Sequence, residues 1–136
     1  MRKEGGIAMM PKSILLIDDE ELITKSLSIL LKSQGYEVTV ARSGKSALEE
    51  VQKCDFDLII CDVRMPDMDG VETIENIRKS LIQLGKEQPP EVLITGYADM
   101  EKHEKAMELK VADYLYKPFD NEEFLRTVKK ALGEFV

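Results

Sequence analysis

Long hydrophobic runs are the first thing missing from this sequence. None reaches the roughly 18 apolar residues that a membrane-spanning helix needs, which excludes a membrane span. The opening segment, MRKEGGIAMMPK, lacks the apolar stretch of roughly 7–15 residues that a secretory signal carries. Residues 1–11 read as a flexible tail, or as an upstream start with Met9 or Met10 as the natural initiator. Basic charge is also in short supply, with 19 Lys and Arg against 26 Asp and Glu and a formal charge of −7. That deficit disfavours direct binding of nucleic acid, or of an anionic membrane surface, by this domain. Cysteine is scarce: Cys54 and Cys61 stand alone without metal-type spacing and read as reduced thiols in a cytoplasmic protein. His103 is the single histidine, and on a weakly periodic helical segment it reads as a surface residue, neither phosphohistidine nor ligand. Repeats, low-complexity tracts and signs of a second domain are missing as well. SGKS at 43–46 is no phosphate loop, because Thr39 stands where that pattern requires a glycine.

What is present suits one folded unit. The chain has 136 residues, 43% of them hydrophobic, enough for a single domain with a core over residues 12–136. Five short, dense apolar runs read as strands: Ile14–Ile17, Val38–Val40, Leu58–Cys61, Val92–Ile94 and Tyr114–Tyr116. The early and middle ones are apolar at successive positions, as strands are when both faces of their sheet are covered. Segments of helical period lie between them. Ile23, Leu27, Leu30 and Leu31 stripe a first helix that Gly35 would close. Ser43 can cap a second, carrying Ala47, Leu48 and Val51. Val71, Ile74, Ile77, Leu81 and Leu84 stripe a third, ended by Gly85 and the Pro89-Pro90 pair. Met100, His103 and Met107 mark a weaker fourth, and Asp120 with Glu123 forms a capping box for a fifth with Phe124, Leu125, Val128 and Leu132. Five β-α repeats imply an α/β fold with parallel strands, right-handed crossovers and helices on both faces. The flavodoxin-like strand order 2-1-3-4-5 fits five strands best.

In such a sheet ligands sit outside the carboxyl ends of the strands. The first strand here ends in Asp18-Asp19-Glu20, the third in Asp62, the fourth in Thr95 and the fifth in Lys117-Pro118. Three carboxylates, a hydroxyl and an ammonium are therefore aimed at one small region. Carboxylates so crowded repel, by about 4 kcal/mol per pair at 4 Å and an effective dielectric of 20. Lys117 offsets part of that, and a hard divalent cation would offset the rest. All-oxygen ligands with room for water favour Mg²⁺. A carboxylate beside Mg²⁺ and a lysine is a nucleophile for phosphoryl groups, whose transfer needs in-line positioning and charge neutralisation. Asp18-Asp19-Glu20 taken alone would serve equally well to charge the N-terminus of a helix. Asp67, Asp69 and Gly70 read as turn and cap residues.

Four segments in order, ILLIDDE, DLIICDVRMPDMDG, VLITGYAD and YLYKPF, give a more specific signal. Through them the chain from Lys12 to Leu132 resembles the CheY-like receiver domain of two-component response regulators. The resemblance implies that Asp62 is the phosphoacceptor. It implies Mg²⁺ on Asp19 directly, on Asp18 mostly through water, on Asp62, and on the Arg64 backbone carbonyl. Thr95 and Lys117 would hold the phosphoryl group, Tyr114 would be the switch aromatic, and the Lys117–Pro118 bond would be cis. Arg64 and Tyr97 fall where side chains screen water from the acyl phosphate, and their size argues for slow dephosphorylation.

A sensor histidine kinase or a histidine phosphotransfer protein is the implied donor. The face of helix four, strand five and helix five is the implied output surface, read by an output protein or an effector domain, with a phosphorylation-dependent homodimer among the implied assemblies. The family catalyses its own phosphorylation and dephosphorylation and turns over no external substrate. One stretch departs from minimal members, SLIQLGKEQPPE, which is a few residues longer and predicts an extended helix end or loop far from the acids. A haloacid-dehalogenase-type phosphatase also uses an aspartate, Mg²⁺ and a lysine, but keeps a second acid two residues after its nucleophile, where Arg64 stands here. An interaction module that never takes phosphate is the other rival, and the intact acids, threonine and lysine speak against it.

Overall fold

The computed structural model describes residues 10–96 and 100–134, with the side chains of the fourth helix described from residue 104 onward. The segment 1–9, Tyr97 and the side chains of Met100 and His103 lie outside the described residues. The strands are β1 (Ser13–Ile17), β2 (Glu37–Ala41), β3 (Leu58–Asp62), β4 (Glu91–Gly96) and β5 (Asp113–Lys117). The helices are α1 (Glu21–Ser33), α2 (Gly44–Lys53), α3 (Gly70–Leu84), α4 (Met100–Glu108) and α5 (Asn121–Ala131). All five strands are parallel and lie in the order β2-β1-β3-β4-β5.

Continuous apolar strands serve two cores at once, because successive side chains point to opposite faces. Leu15, Ile17, Ile59, Cys61 and Leu93 face one way, onto Ala47 and Val51 of α2 and Ile74, Ile77 and Leu81 of α3. Ile14, Leu16, Leu58, Ile60, Val92 and Ile94 face the other way, onto Leu27 and Leu31 of α1 and Phe124 and Val128 of α5. The central β3 is buried along its whole length, whereas the edge strands β2 and β5 are mostly half-buried or exposed.

Local chemistry sets the helix ends. Ser43 accepts from the Ser46 N–H, Asp69 from the Glu72 N–H, and Asp120 with Glu123 completes a reciprocal capping box. Two expected stripes end differently from their sequence pattern. Leu84, the last residue of α3, is 47% exposed, so the buried stripe stops at Leu81 and Gly85, at φ 69°, turns the chain away. Among the described side chains of α4, Met107 is exposed and Ala106 is fully buried, in the core cluster against which Tyr114 packs. The lengthened segment after α3 forms the helix's last turns and residues 85–90, at the amino edge of β4 and away from the acids.

Ion pairs fasten the periphery. Arg78 of α3 binds Glu91 at the start of β4 through Nε at 3.0 Å and Nη2 at 2.5 Å. Beyond α5, Glu134 accepts from the Tyr36 hydroxyl at 2.7 Å and pairs with Lys12 at 3.1 Å, which ties the end of the last helix to the start of the first strand.

Gly70 opens α3 directly against β3. A Cβ there would collide with the Asp62 carbonyl oxygen and lie 2.7 Å from Val63 Cα, backbone atoms that cannot step aside. Gly70→Ala is expected to destabilise the fold by about 1–3 kcal/mol, as overpacking does. Urea denaturation measures it, and an unchanged midpoint would contradict this close approach.

Candidate functional site

The sheet register assembles the acids. β1 and β3 are neighbours, with Ile17 opposite Cys61, so Asp18 and Asp62 emerge side by side. Asp62 lies opposite Ile94 of β4, and Gly96 lies opposite Lys117 of β5, which brings Thr95 and Lys117 to the same edge. Carboxylate oxygens of Asp18, Asp19 and Asp62 all lie within 4.8 Å of one another. Lys117 Nζ stands 3.0 Å from Asp62 Oδ1. Asp18, Asp62 and Thr95 are buried, at 1%, 2% and 2% exposure, while Asp19 faces solvent.

Hydrogen bonding leaves this cluster incomplete. Asp18 Oδ1 accepts from the Glu20 N–H at 3.1 Å, but Asp18 Oδ2 is buried without a hydrogen bond. Asp62 Oδ1 has the Lys117 ammonium at ion-pair distance and accepts no well-directed hydrogen bond. Glu20 takes the N-cap position of α1 without a side-chain cap bond, so the acidic triplet is not spent on capping that helix. Among the described residues the Thr95 hydroxyl makes one long contact, 3.5 Å, to the Gly96 carbonyl.

Electrostatics reflect the crowding. Burial drives the Asp18 carboxyl up to about 6, with the neighbouring Asp62 charge adding to it and the Glu20 N–H opposing it. Burial likewise raises Asp62, and Lys117 only partly counters this. Burial alone would lower Lys117, but the bond to Asp62 and the surrounding carboxylates outweigh it, so the ammonium is held protonated. Three carboxylates around one ammonium, two with buried unsatisfied oxygens, fit a hard divalent cation with oxygen ligands.

The residues singled out in the sequence fall into two groups. Asp18, Asp19, Asp62 and Lys117 form the cluster, with Thr95 on the same strand edge. Arg64 is exposed two residues beyond Asp62, on the loop leading to α3. Tyr114 stands apart, half-buried on β5, where its hydroxyl donates to the Ala106 carbonyl at 2.8 Å with the Met107 carbonyl at 3.3 Å. The Lys117–Pro118 bond is cis. Beside the acids runs a cleft of about 400 Å³, with Glu20, Ile23 and Leu27 on one side and Pro118 and Phe119 on the other. Sequence reasoning passed over Gly44 and Met68, which meet beside the Asp62 loop. No spacing rule links residue 44 to residue 68; only the packing of α2 on α3 does.

A five-stranded doubly wound sheet carrying such a pocket at its carboxyl edge defines a flavodoxin-like α/β protein built around an acidic, cation-type site. The family of the response regulator receiver domain matches residues 14–129, and the chain belongs to it. It is a receiver domain of two-component signalling, in a family of signalling modules and not of substrate-turnover enzymes. It is 38% identical over 120 residues to the transcriptional regulatory protein ZraR of Escherichia coli, covering 88% of this chain and 26% of that protein. Identity to the transcriptional regulatory protein CrdR of Helicobacter pylori is 33% over 125 residues, covering 92% and 57%. The chain thus spans about a quarter of the length of ZraR. The chemotaxis protein CheY4 of Vibrio cholerae has a TM-score of 0.79 at 33% identity, covering 90% of this chain and 99% of that one. A CheY-like receiver domain protein from Methanospirillum hungatei reaches 0.79 at 30% identity, covering 92% and 96%. Among the described residues no helix is long and apolar enough to cross a membrane.

The raised carboxyl of Asp18 fixes a pH dependence of stability. Folded Asp18 holds its proton up to about 6, whereas the unfolded group releases it near 3.8. The folded state therefore binds more protons in that window, and metal-free stability falls as pH rises through it, with Asp62 acting in the same direction. Asp18→Asn is expected to stabilise the metal-free protein at pH 7.5 by about 1–3 kcal/mol and to flatten the profile between roughly pH 4 and 6. Urea denaturation in a chelating buffer checks this, and a variant less stable than wild type at pH 7.5 would refute it.

Proposed function

We propose that Asp62 accepts a phosphoryl group from a phosphohistidine of a sensor kinase or a histidine phosphotransfer protein. The single observation that carries this reading is the Asp62 carboxylate, 2% exposed, 3.0 Å from the Lys117 ammonium and grouped with two further acids. Asp18, Asp19, Asp62 and the Arg64 backbone carbonyl would hold Mg²⁺. When bound, that ion supplies charge neutralisation at the phosphoryl oxygens.

The chain's own residues do the rest. A carboxylate oxygen of Asp62 attacks phosphorus in line, a P–O bond forms, and the P–N bond to the imidazole breaks. Lys117 offsets the charge of a group that carries close to two negative charges. Thr95, buried on the same strand edge, turns its hydroxyl from the 3.5 Å contact with the Gly96 carbonyl to a phosphoryl oxygen. Arg64 and Tyr97 limit access of water and so slow the self-catalysed dephosphorylation.

Tyr114 carries the response. Its hydroxyl sits on the last turn of α4, so its inward movement releases the Ala106 and Met107 carbonyls and alters the α4-β5-α5 face. The phosphate thus biases two existing conformers. Residues 12–136 act as the receiver. An output protein or effector domain reads the face, a phosphorylation-dependent homodimer is among its assemblies, and the work is done in the cytoplasm. With a charge of −7, this domain leaves any nucleic-acid contact to its output partner.

Incubation with Mg²⁺ and acetyl phosphate followed by intact mass measurement tests the acceptor. One phosphoryl adduct is expected in wild type, with none in Asp62→Asn and little in Asp19→Asn or after chelation. An adduct that persists in Asp62→Asn but vanishes in Asp19→Asn would falsify the assignment. Tyr114→Phe is expected to accept phosphate normally, to lose about 1 kcal/mol of stability, and to exchange amide protons faster in the last turn of α4. Unchanged exchange there would sink the coupling.

A further inference from the structure

The loop of residues 63–69 carries Arg64 between β3 and α3, and its shape is unusual. Its root is secured by the Val63 N–H on the Ile94 carbonyl, 2.9 Å, and the Gly70 N–H on the Val63 carbonyl, 2.8 Å. At its tip Asp67 adopts φ 67° while the Met68 N–H donates to the Pro66 carbonyl at 2.8 Å. This is a γ-turn with a non-glycine residue in the left-handed region, a conformation that persists only where its surroundings enforce it.

Met68 is where the surroundings take hold. Its thioether accepts a hydrogen bond from Asn76 Nδ2 of α3 at 3.6 Å. The first residue of α2, Gly44, packs directly on it: a Cβ at 44 would lie 2.5 Å from Met68 Sδ, 3.0 Å from Met68 Cγ and 2.5 Å from Thr73 Oγ1. Thr73 in turn donates to the Asp69 carbonyl at 2.7 Å, so the same approach touches both the loop tip and the cap of α3. A larger residue at 44 would have to push the Met68 and Thr73 side chains aside, so the bare glycine lets α2 close on the loop from its side.

We infer that Gly44 and Met68 are positioning residues for the cation site: the helix-to-thioether lock sets where the Arg64 carbonyl stands relative to Asp62. This rests on the proposed role of the Arg64 carbonyl as a cation ligand. It adds that cation affinity is controlled from a helix whose own residues bear no part of the chemistry, as supports behind metal ligands commonly do.

The test is Mg²⁺ titration of the full chain by calorimetry, alongside urea denaturation without metal. Met68→Ala is expected to weaken Mg²⁺ binding roughly tenfold, the range for supports behind metal ligands. Met68→Leu, of similar volume, is expected to stay within about threefold of wild type. Gly44→Ala is expected to weaken binding at least as much as Met68→Ala; if it does not fold, the two Met68 variants decide. A purely structural role would lower metal-free stability and leave Mg²⁺ affinity alone. Wild type that binds Mg²⁺ and Met68→Ala that binds it within about twofold would overturn the lock by itself, since loss of such a support exceeds that. Wild type that binds no Mg²⁺ would overturn the cation site, and the lock with it.

Discussion

Charge crowding at the ends of two adjacent strands governs this molecule. Asp18 and Asp62 are side by side because β1 and β3 are neighbours, and they are buried because those strands run through the middle of the sheet. A carboxylate pair out of water beside a third acid is unfavourable unless positive charge arrives. Lys117, from the far strand β5, provides part of it at 3.0 Å. The remaining deficit makes the site selective for what completes it. Stability is given up at this edge and recovered in the two apolar layers, where Leu15, Ile17, Ile14 and Leu16 are fully buried on alternate sides of a single strand.

Much of this was readable in the amino-acid order, for identifiable reasons. Uninterrupted apolar runs such as Leu58–Cys61 occur where both faces of a strand are covered, so β1, β3 and β4 declared themselves and their last residues pointed to the site. Ser43, Asp69 and Asp120 act within four residues of their partners, which is why a local reading located the starts of α2, α3 and α5. Failures came where long-range geometry decides. Leu84 continues a perfect-looking stripe but closes its helix exposed, and Met107 looks like a core residue although Ala106 fills that place. Arg78 with Glu91, and Gly44 with Met68, meet only through tertiary packing and leave no periodic trace.

The described part of α4 is lightly packed. α4 is polar along most of its length and, among its described residues, buries only Ala106 completely. Its last turn is held by the hydroxyl of Tyr114, a residue whose own packing is against the α2–α3 core. Among its described residues, one aromatic hydroxyl and one small buried side chain hold this helix, and an element with few buried contacts shifts at small free-energy cost. The opposite treatment is given to α3, pinned to β4 by the paired bonds between Arg78 and Glu91. Both helices pack on the same face of the sheet.

Glu134 fastens the end of α5 to Tyr36 and Lys12, at the amino edge of the sheet. The acids occupy the other pole. This anchor lies a full strand length from Asp62, with no direct view of the chemistry there. News of a phosphoryl group would reach it only as mechanical displacement relayed through the body of the domain.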